Sequence, residues 1–206
     1  MADFLRYDGP LARWLIPISN LAVLNILMIL CCIPVITIGA SVSAMHYVVL
    51  RMARDEESGI FRDFFHAFSS HFGQSVGITM IWLGSGAVIL LNLYLFNHMD
   101  LGMGNALIYV LYIALLVHFA VFTYVFPVFA RFDNTVKRTI KNSYLLAVRY
   151  PVNTVVVTVT NGLPWILCLL WPEIFQRLFF LWLMIGFALQ AYWTAGLFRN
   201  IFDRLE

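Results

Sequence analysis

The fold depends on residues 14–50, which read WLIPISNLAVLNILMILCCIPVITIGASVSAMHYVVL. Apart from the ionisable His46, this stretch contains no charged side chain, and Pro34 lies near its middle. About 20 apolar residues span the hydrocarbon core of a bilayer, so the stretch is too long for one upright transmembrane helix. It is therefore either one bent crossing or a tight hairpin of two crossings.

The composition excludes an ordinary soluble domain. Hydrophobic residues make up 62% of the 206 residues and charged residues 12%, whereas globular proteins contain about half and about a quarter. Further apolar segments at residues 75–97, 105–130, 152–171 and 175–198 are long enough to span and lack β-barrel alternation. We predict an all-α, polytopic membrane helical bundle that forms a single integral membrane domain over residues 1–206.

The positions of lysine and arginine predict the orientation. These residues are concentrated in 51–72, in 131–150 and after residue 198, whereas residues 97–105 contain none and residues 171–177 contain only Arg177 at their edge. The positive-inside rule places the three basic segments in the cytoplasm. For Arg6 and Arg13 to lie there too, residues 14–33 must cross outward and residues 35–50 must return. This hairpin gives six transmembrane helices with both termini cytoplasmic, and the bent single crossing gives the alternative of five.

We assign the hairpin turn to Pro34, Thr37 and Gly39. Proline disfavours a helical conformation at the residue before it, and glycine permits a sharp turn of the backbone. A weak internal similarity supports the hairpin, because residues 47–54 and 124–131 share Tyr, Val, Ala and Arg at equivalent places. If the similarity reflects a parallel repeat of residues 35–97 and 105–171, both segments cross in the same direction.

Two cytoplasmic amphipathic helices are predicted, at residues 59–72 and 134–150. Such helices lie at the membrane interface with basic residues toward the headgroups, or pack beneath their own bundle as elbows between crossings. A third interpretation is that the first helix and its polar join dock another subunit. The candidate docking residues are Phe61, Phe64, Phe65, Phe68, Arg54 and Asp55.

Polar residues inside the predicted spans are the remaining candidates for function. They are Asn20, Asn25, Asn92 and His118, either as hydrogen-bonding partners between helices or as the lining of a solute pathway. No Asp, Glu, Lys or Arg lies deep in a predicted span, and the sequence contains no nucleophile elbow, phosphate loop or metal-ligand pair. We therefore predict no enzyme activity, no cofactor and no metal.

Several strings in the N-terminal third resemble the YesL-like family of bacterial integral membrane proteins, whose biochemical activity is unknown. The similarity is strongest over residues 4–75, and the strings that carry it are FLRYDGP at 4–10, Asn20-Leu21, Asn25, IPVITIGA at 33–40, Ala44, Arg54-Asp55-Glu56, and Phe64-Phe65 with Phe68. The resemblance implies a multi-pass protein of the bacterial plasma membrane. It also implies an association with carbohydrate importers of the ATP-binding-cassette type.

The leading hypothesis is a non-catalytic accessory subunit of such an importer for oligosaccharides. Its expected partners are the permease subunits within the lipid bilayer, near the ATPase subunits, and no nucleic acid. An independent small-solute transporter or channel is the first alternative. A membrane-bound regulator or assembly factor is the second, and the sequence does not separate it from the leading hypothesis.

Overall fold

The computed structural model describes residues 10–56, 58–70, 72–98, 106–132 and 134–204, with side chains from residue 16 onward. Within these ranges the chain forms helices and short connections and contains no strand, which confirms the all-α prediction. The helices are α1 (Pro10–Cys31), α2 (Ile38–Met52), α3 (Ile60–Ser70), α4 (Phe72–His98), α5 (Ala106–Arg131), α6 (Val136–Arg149), α7 (Pro151–Leu170), α8 (Pro172–Leu181) and α9 (Phe187–Phe202).

Five helical segments of the described chain are long and apolar enough to cross a membrane, which confirms a multi-pass architecture. They are Val35–Met52, Phe72–His98, Ala106–Arg131, Pro151–Leu170 and Pro172–Phe202. Over Ile16–Cys31, α1 is a shorter apolar helix. The whole of α1 has 22 residues, which is about 33 Å at a rise of about 1.5 Å per residue. The sixth crossing, by α1, and the cytoplasmic position of both termini stay predictions.

The chain breaks at the predicted hairpin. A 3₁₀ turn, Val35–Thr37, separates α1 from α2, and Pro34 is extended at its start. The Thr37 hydroxyl lies 2.5 Å from the Cys31 carbonyl oxygen and 2.6 Å from that of Pro34. Its proton is therefore shared between a carbonyl at the end of α1 and a carbonyl of the turn. Because α1 and α2 then pack against each other, the stretch forms two arms rather than one bent helix.

Gly39 has a different role from the predicted one. It lies in the first turn of α2, buried against α4, and not in the hairpin turn. A Cβ atom at this position would overlap Thr79 Oγ1 and lie 2.7 Å from the Ser75 carbonyl oxygen. Next to it, the hydroxyls of Ser43 and Ser75 are 3.1 Å apart. Small residues therefore let α2 and α4 approach closely, as in other membrane helix pairs.

At the centre of the bundle is α2, which packs against α1, α3, α4, α5 and α9. Of its membrane-spanning window 56% is buried, against 6% for the window in α5. Val48 on α2 and Leu24 on α1 are fully buried in one hydrophobic cluster with Tyr124, Phe198 and Phe202 from α5 and α9. The charge-poor stretch that decides the fold thus provides its central helix.

The second amphipathic helix, α6, contacts the bundle through a face that the apolar pattern does not indicate. Thr139, Ser143 and Leu146 are buried, whereas Leu145 and Val148 are 53% and 63% exposed. Small hydroxyl side chains permit close packing against the bundle. The buried Ser143 hydroxyl donates a hydrogen bond to the Thr139 carbonyl of its own helix. The apolar face is consequently left for the membrane interface, which is the arrangement expected for an interfacial helix.

Candidate functional site

The phenylalanines of α3 differ in burial. Phe64 is completely buried and the partly buried Phe68 packs beside it, with ring centroids 6.1 Å apart. Phe61 and Phe65 lie at the edge of the same apolar face and are 59% and 47% exposed, and the rings of Phe65 and Phe64 are in contact with centroids 5.5 Å apart. Phe64 and Phe68 attach α3 to the bundle, and Phe61 and Phe65 present an apolar surface at its margin. Two of the four candidate phenylalanines are therefore available for docking, and two are structural.

A buried carboxylate fixes the start of α3. Asp63 is 4% exposed, and it accepts hydrogen bonds from the Ser58 backbone N–H at 3.0 Å and the Ser58 hydroxyl at 2.7 Å. The Arg51 guanidinium lies 3.7 Å from the same carboxylate. Burial by itself would raise the pKa of Asp63, but the Ser58 hydrogen bonds and the charges of Arg51 and Arg62 outweigh it, so the pKa is lowered. Asp63 is therefore ionised at neutral pH.

The join between α2 and α3 is also tied to the end of α9. Arg54 Nη2 donates to Asp203 Oδ1 at 2.6 Å, and Arg199 Nη1 donates to the backbone carbonyl of Ala53 at 2.7 Å. The neighbouring Asp55 is exposed and has a left-handed backbone, with φ 56°, a conformation that aspartate tolerates better than most residues. Of the two polar docking candidates, Arg54 is thus held within the fold and Asp55 is accessible.

Asn25 is fully buried and has a long-range role. Its side-chain Nδ2 donates to the Leu183 carbonyl at 2.7 Å, and its Oδ1 accepts from the Ala188 N–H at 2.9 Å. Leu183 lies in a π-helical turn, Trp182–Gly186, that separates α8 from α9. A π turn shifts the backbone hydrogen-bonding register and leaves polar groups in need of partners. Asn25 satisfies two of them and holds α1 against this turn.

The other intramembrane candidates do not converge on Asn25. Asn92 donates to the Val88 carbonyl of its own helix at 2.8 Å, and Asn20 is only partly buried on α1. His118 stacks on Trp82 between α4 and α5, with ring centroids 5.5 Å apart and planes 8° from parallel. Among the described residues, His118 Nε2 and Trp82 Nε1 are buried without a hydrogen-bond partner.

A separate small cavity lies between α1, α2, α5, α7 and α9. Its volume is about 180 Å³, and its lining includes His46, Asn161 and Gln190 among mainly apolar side chains. Gln190 donates to the Thr160 carbonyl. In the sequence these three residues lie in separate apolar segments, and nothing in their spacing indicates that they meet. Their separation along the chain hides the grouping, which depends on how α2, α7 and α9 pack.

One feature of the α3 region is indicated by the sequence itself. Asp63 follows Ser58 at the start of an amphipathic helix, and a carboxylate in the first turn that bonds back to the preceding segment is a known helix-start arrangement. Within the described part of the chain no cluster of His, Cys, Asp and Glu could hold a metal ion. The arrangement thus offers an anchored apolar surface and a small cavity, both suited to binding.

Comparison with known proteins gives one match. Residues 21–93 match a family described as "Protein of unknown function, DUF624", and they include the end of α1, all of α2 and α3, and most of α4. No curated protein and no solved structure matches the chain. The matched part contains Asn25, the hairpin turn and the α3 phenylalanines. Over residues 21–93 the chain is therefore similar to this family, whose function is unknown.

Proposed function

We propose that the protein is a non-catalytic accessory membrane subunit of an ATP-binding-cassette importer for oligosaccharides. The resemblance of residues 4–75 to the YesL-like family supports this assignment of partner class. The DUF624 match overlaps the same part of the chain from residue 21 onward. The partner that we assign is a permease subunit, with the importer's ATPase subunits nearby on the cytoplasmic side.

The observation that carries the proposal is the exposed pair Phe61 and Phe65 on an anchored helix. Aromatic side chains bury a large area at a low entropic cost when their backbone is already held, and they dominate the energetics of many interfaces. Here the backbone is held by Phe64 in the core and by the buried carboxylate of Asp63 at the helix start. The surface is therefore ordered before any partner binds, which lowers the entropic cost of binding.

The linings of the His46 cavity and of a larger cavity beside His118 support an accessory role over transport of sugar by this chain alone. The His46 cavity, at about 180 Å³, is below the range of about 300–1,000 Å³ that is typical for small-molecule sites, whereas the cavity beside His118 between α4 and α5, at about 630 Å³, is within it. An oligosaccharide needs many hydrogen-bonding groups along its path, and both linings are mainly apolar. The importer's permease pair would then provide the sugar pathway.

Co-purification from native membranes tests the proposal. The full-length tagged chain is extracted in a mild detergent, and the proteins that accompany it are identified by mass spectrometry. We expect permease subunits of a carbohydrate importer, with their recovery reduced at least fivefold by the double substitution F61A/F65A. The matched control is F179A/F180A on α8, where both phenylalanines are also exposed. Recovery without any permease, or equal loss in both variants, contradicts the proposal.

The His46 cavity favours a second candidate function, transport of a solute much smaller than a sugar. Its volume corresponds to a few water molecules, at about 30 Å³ for each. Solute flux into proteoliposomes containing only this chain tests the candidate, with His46→Ala and Gln190→Ala as variants. Flux that these substitutions abolish supports it, and the absence of flux for ions and small neutral solutes excludes it.

A further inference from the structure

A second cavity lies at the basic end of the bundle, between the start of α7 and the end of α9. Its volume is about 370 Å³, and the polar side chains that line it are Arg149, Tyr150, Asn153, Asn200 and Arg204. Both arginines are exposed, and Arg149 lies over the ring of Tyr150, 5.9 Å from its centroid. The volume is within the range of about 300–1,000 Å³ that is typical for small-molecule sites.

The charges around this cavity are of one sign. Two arginines contribute to the lining, and among the described residues that line it none is acidic. The adjacent Asp203 is directed to Arg54, with 2.6 Å between the paired atoms, so its charge is already compensated. The cavity is therefore suited to an anion, and the forked donors of arginine match the oxygens of a phosphate.

The start of α7 adds donors to the same place. Pro151 occupies the first turn and has no N–H, and Tyr150 at the N-cap makes no side-chain hydrogen bond there. The amides of Val152 and Asn153 consequently have no acceptor within the helix. With the positive end of the helix dipole they provide a second element of phosphate recognition beside the arginine pair.

The position of the cavity along the bundle indicates a lipid. The span Pro151–Leu170 begins at the cavity, and the span Pro172–Phe202 ends shortly before Arg204. The cavity thus lies where two spans leave the hydrocarbon core, which is the depth of phospholipid headgroups. From it, Val152, Val155 and Val159 form a stripe along one face of α7 with exposures of 74%, 62% and 53%. An acyl chain attached to a headgroup in the cavity would lie on this stripe.

We infer that the cavity binds the phosphate of an anionic phospholipid, held by Arg149, Arg204 and the N-terminal amides of α7, with the side-chain amides of Asn153 and Asn200 as further donors. This site is distinct from the α3 surface, and the inference does not depend on the proposed accessory role. A soluble phosphate compound would use the same donors but would make no use of the valine stripe. Phosphatidylglycerol is the probe, because it carries one net negative charge and no competing positive group.

Native mass spectrometry of the full-length protein in detergent tests the inference, with phosphatidylglycerol and phosphatidylcholine of equal chain length titrated separately. We expect preferential binding of phosphatidylglycerol. Each basic residue near an anionic lipid contributes about fivefold in affinity, so R149Q/R204Q should weaken binding about 25-fold. The control R138Q/K141Q removes the same charge from exposed positions of α6 outside the cavity and should have less than a twofold effect.

A second variant and a competition experiment complete the test. If R149Q/R204Q does not fold, N153A/N200A tests the same cavity without a change of charge, and we expect at least threefold weaker binding. Inorganic phosphate at millimolar concentration is added as a competitor and should displace little of the lipid. Equal losses in the cavity and control variants overturn the site, and full displacement by phosphate without a lipid preference overturns the assignment to a lipid.

Discussion

The side-chain amide of Asn25 donates a hydrogen bond to the backbone carbonyl of Leu183 at 2.7 Å, across 158 positions of sequence. Its oxygen also accepts from the Ala188 N–H at 2.9 Å. Because an apolar interior offers no water to these backbone groups, Asn25 is the partner that permits the π turn at this depth. One side chain thus joins the first helix to the last apolar segment.

The substitution Asn25→Leu preserves most of the side-chain volume but removes both hydrogen bonds. It leaves a buried carbonyl and a buried N–H without partners, so we expect a loss of about 1–3 kcal/mol in the free energy of unfolding. The matched control is Asn92→Leu, since Asn92 bonds only within its own helix. Thermal unfolding in detergent measures both variants, and an equal effect of the two would contradict the bridging role of Asn25.

Gly39→Ala should separate α2 from α4. The added Cβ would lie 2.7 Å from the Ser75 carbonyl oxygen, a backbone atom that cannot rotate away. Overpacking of this kind costs about 1–3 kcal/mol. Gly84→Ala is the control, because a Cβ there meets nothing within 4 Å, and it should be neutral or slightly stabilising. A lower unfolding temperature for Gly84→Ala than for Gly39→Ala would exclude the close-approach explanation.

Asp63 should make the stability of the protein depend on pH. Its folded-state pKa is lowered, so its contribution is fully present above the unfolded-state pKa of about 3.9 and is lost as the pH falls below that value toward the folded-state pKa. Asp63→Asn should therefore cost about 1–3 kcal/mol at pH 7. The difference from the native protein should shrink below pH 4. A difference that stays constant from pH 7 to pH 3 would show that charge is unimportant at this position.

Cysteine labelling can distinguish six crossings from five. Ile33 is 74% exposed in the hairpin turn, and in the six-crossing arrangement this turn is extracytoplasmic. In a cysteine-free background, we expect Ile33→Cys to react with an impermeant maleimide in intact cells. Arg138→Cys on α6 should react only after permeabilisation. If residues 14–50 were instead one bent crossing, residue 33 would lie near the middle of the membrane, and Ile33→Cys would stay unlabelled in both conditions.

Hydropathy predicts much of this fold, because insertion into a bilayer depends on the length and polarity of local segments. The break at Pro34 and the short connection at Trp171 both follow from such local signals. The role of Gly39 does not follow from local signals, since it depends on α4 lying against α2. The packing face of α6 was also unpredictable, because Thr139 and Ser143 are polar in sequence and become buried only against the bundle.

The candidate sites show the same limit. The amphipathic spacing of α3 identified Phe61 and Phe65 together with Phe64 and Phe68, but only tertiary packing separates the exposed pair from the buried Phe64 and the partly buried Phe68. Asn25 was recognisable as an intramembrane polar residue, whereas its partners in the π turn belong to a distant segment. The sequence pattern therefore did not predict those features of the candidate sites that depend on contacts between residues far apart along the chain.

Site-specific photo-crosslinking in cells tests the central claim, docking of a permease by α3, most directly. A photoreactive phenylalanine analogue is placed at Phe61, and in a separate strain at Phe180 on α8, which is 74% exposed. We predict that position 61 crosslinks to a permease subunit of a carbohydrate importer, identified by mass spectrometry, and that position 180 crosslinks to lipid. Crosslinks from position 61 to lipid alone would contradict the account.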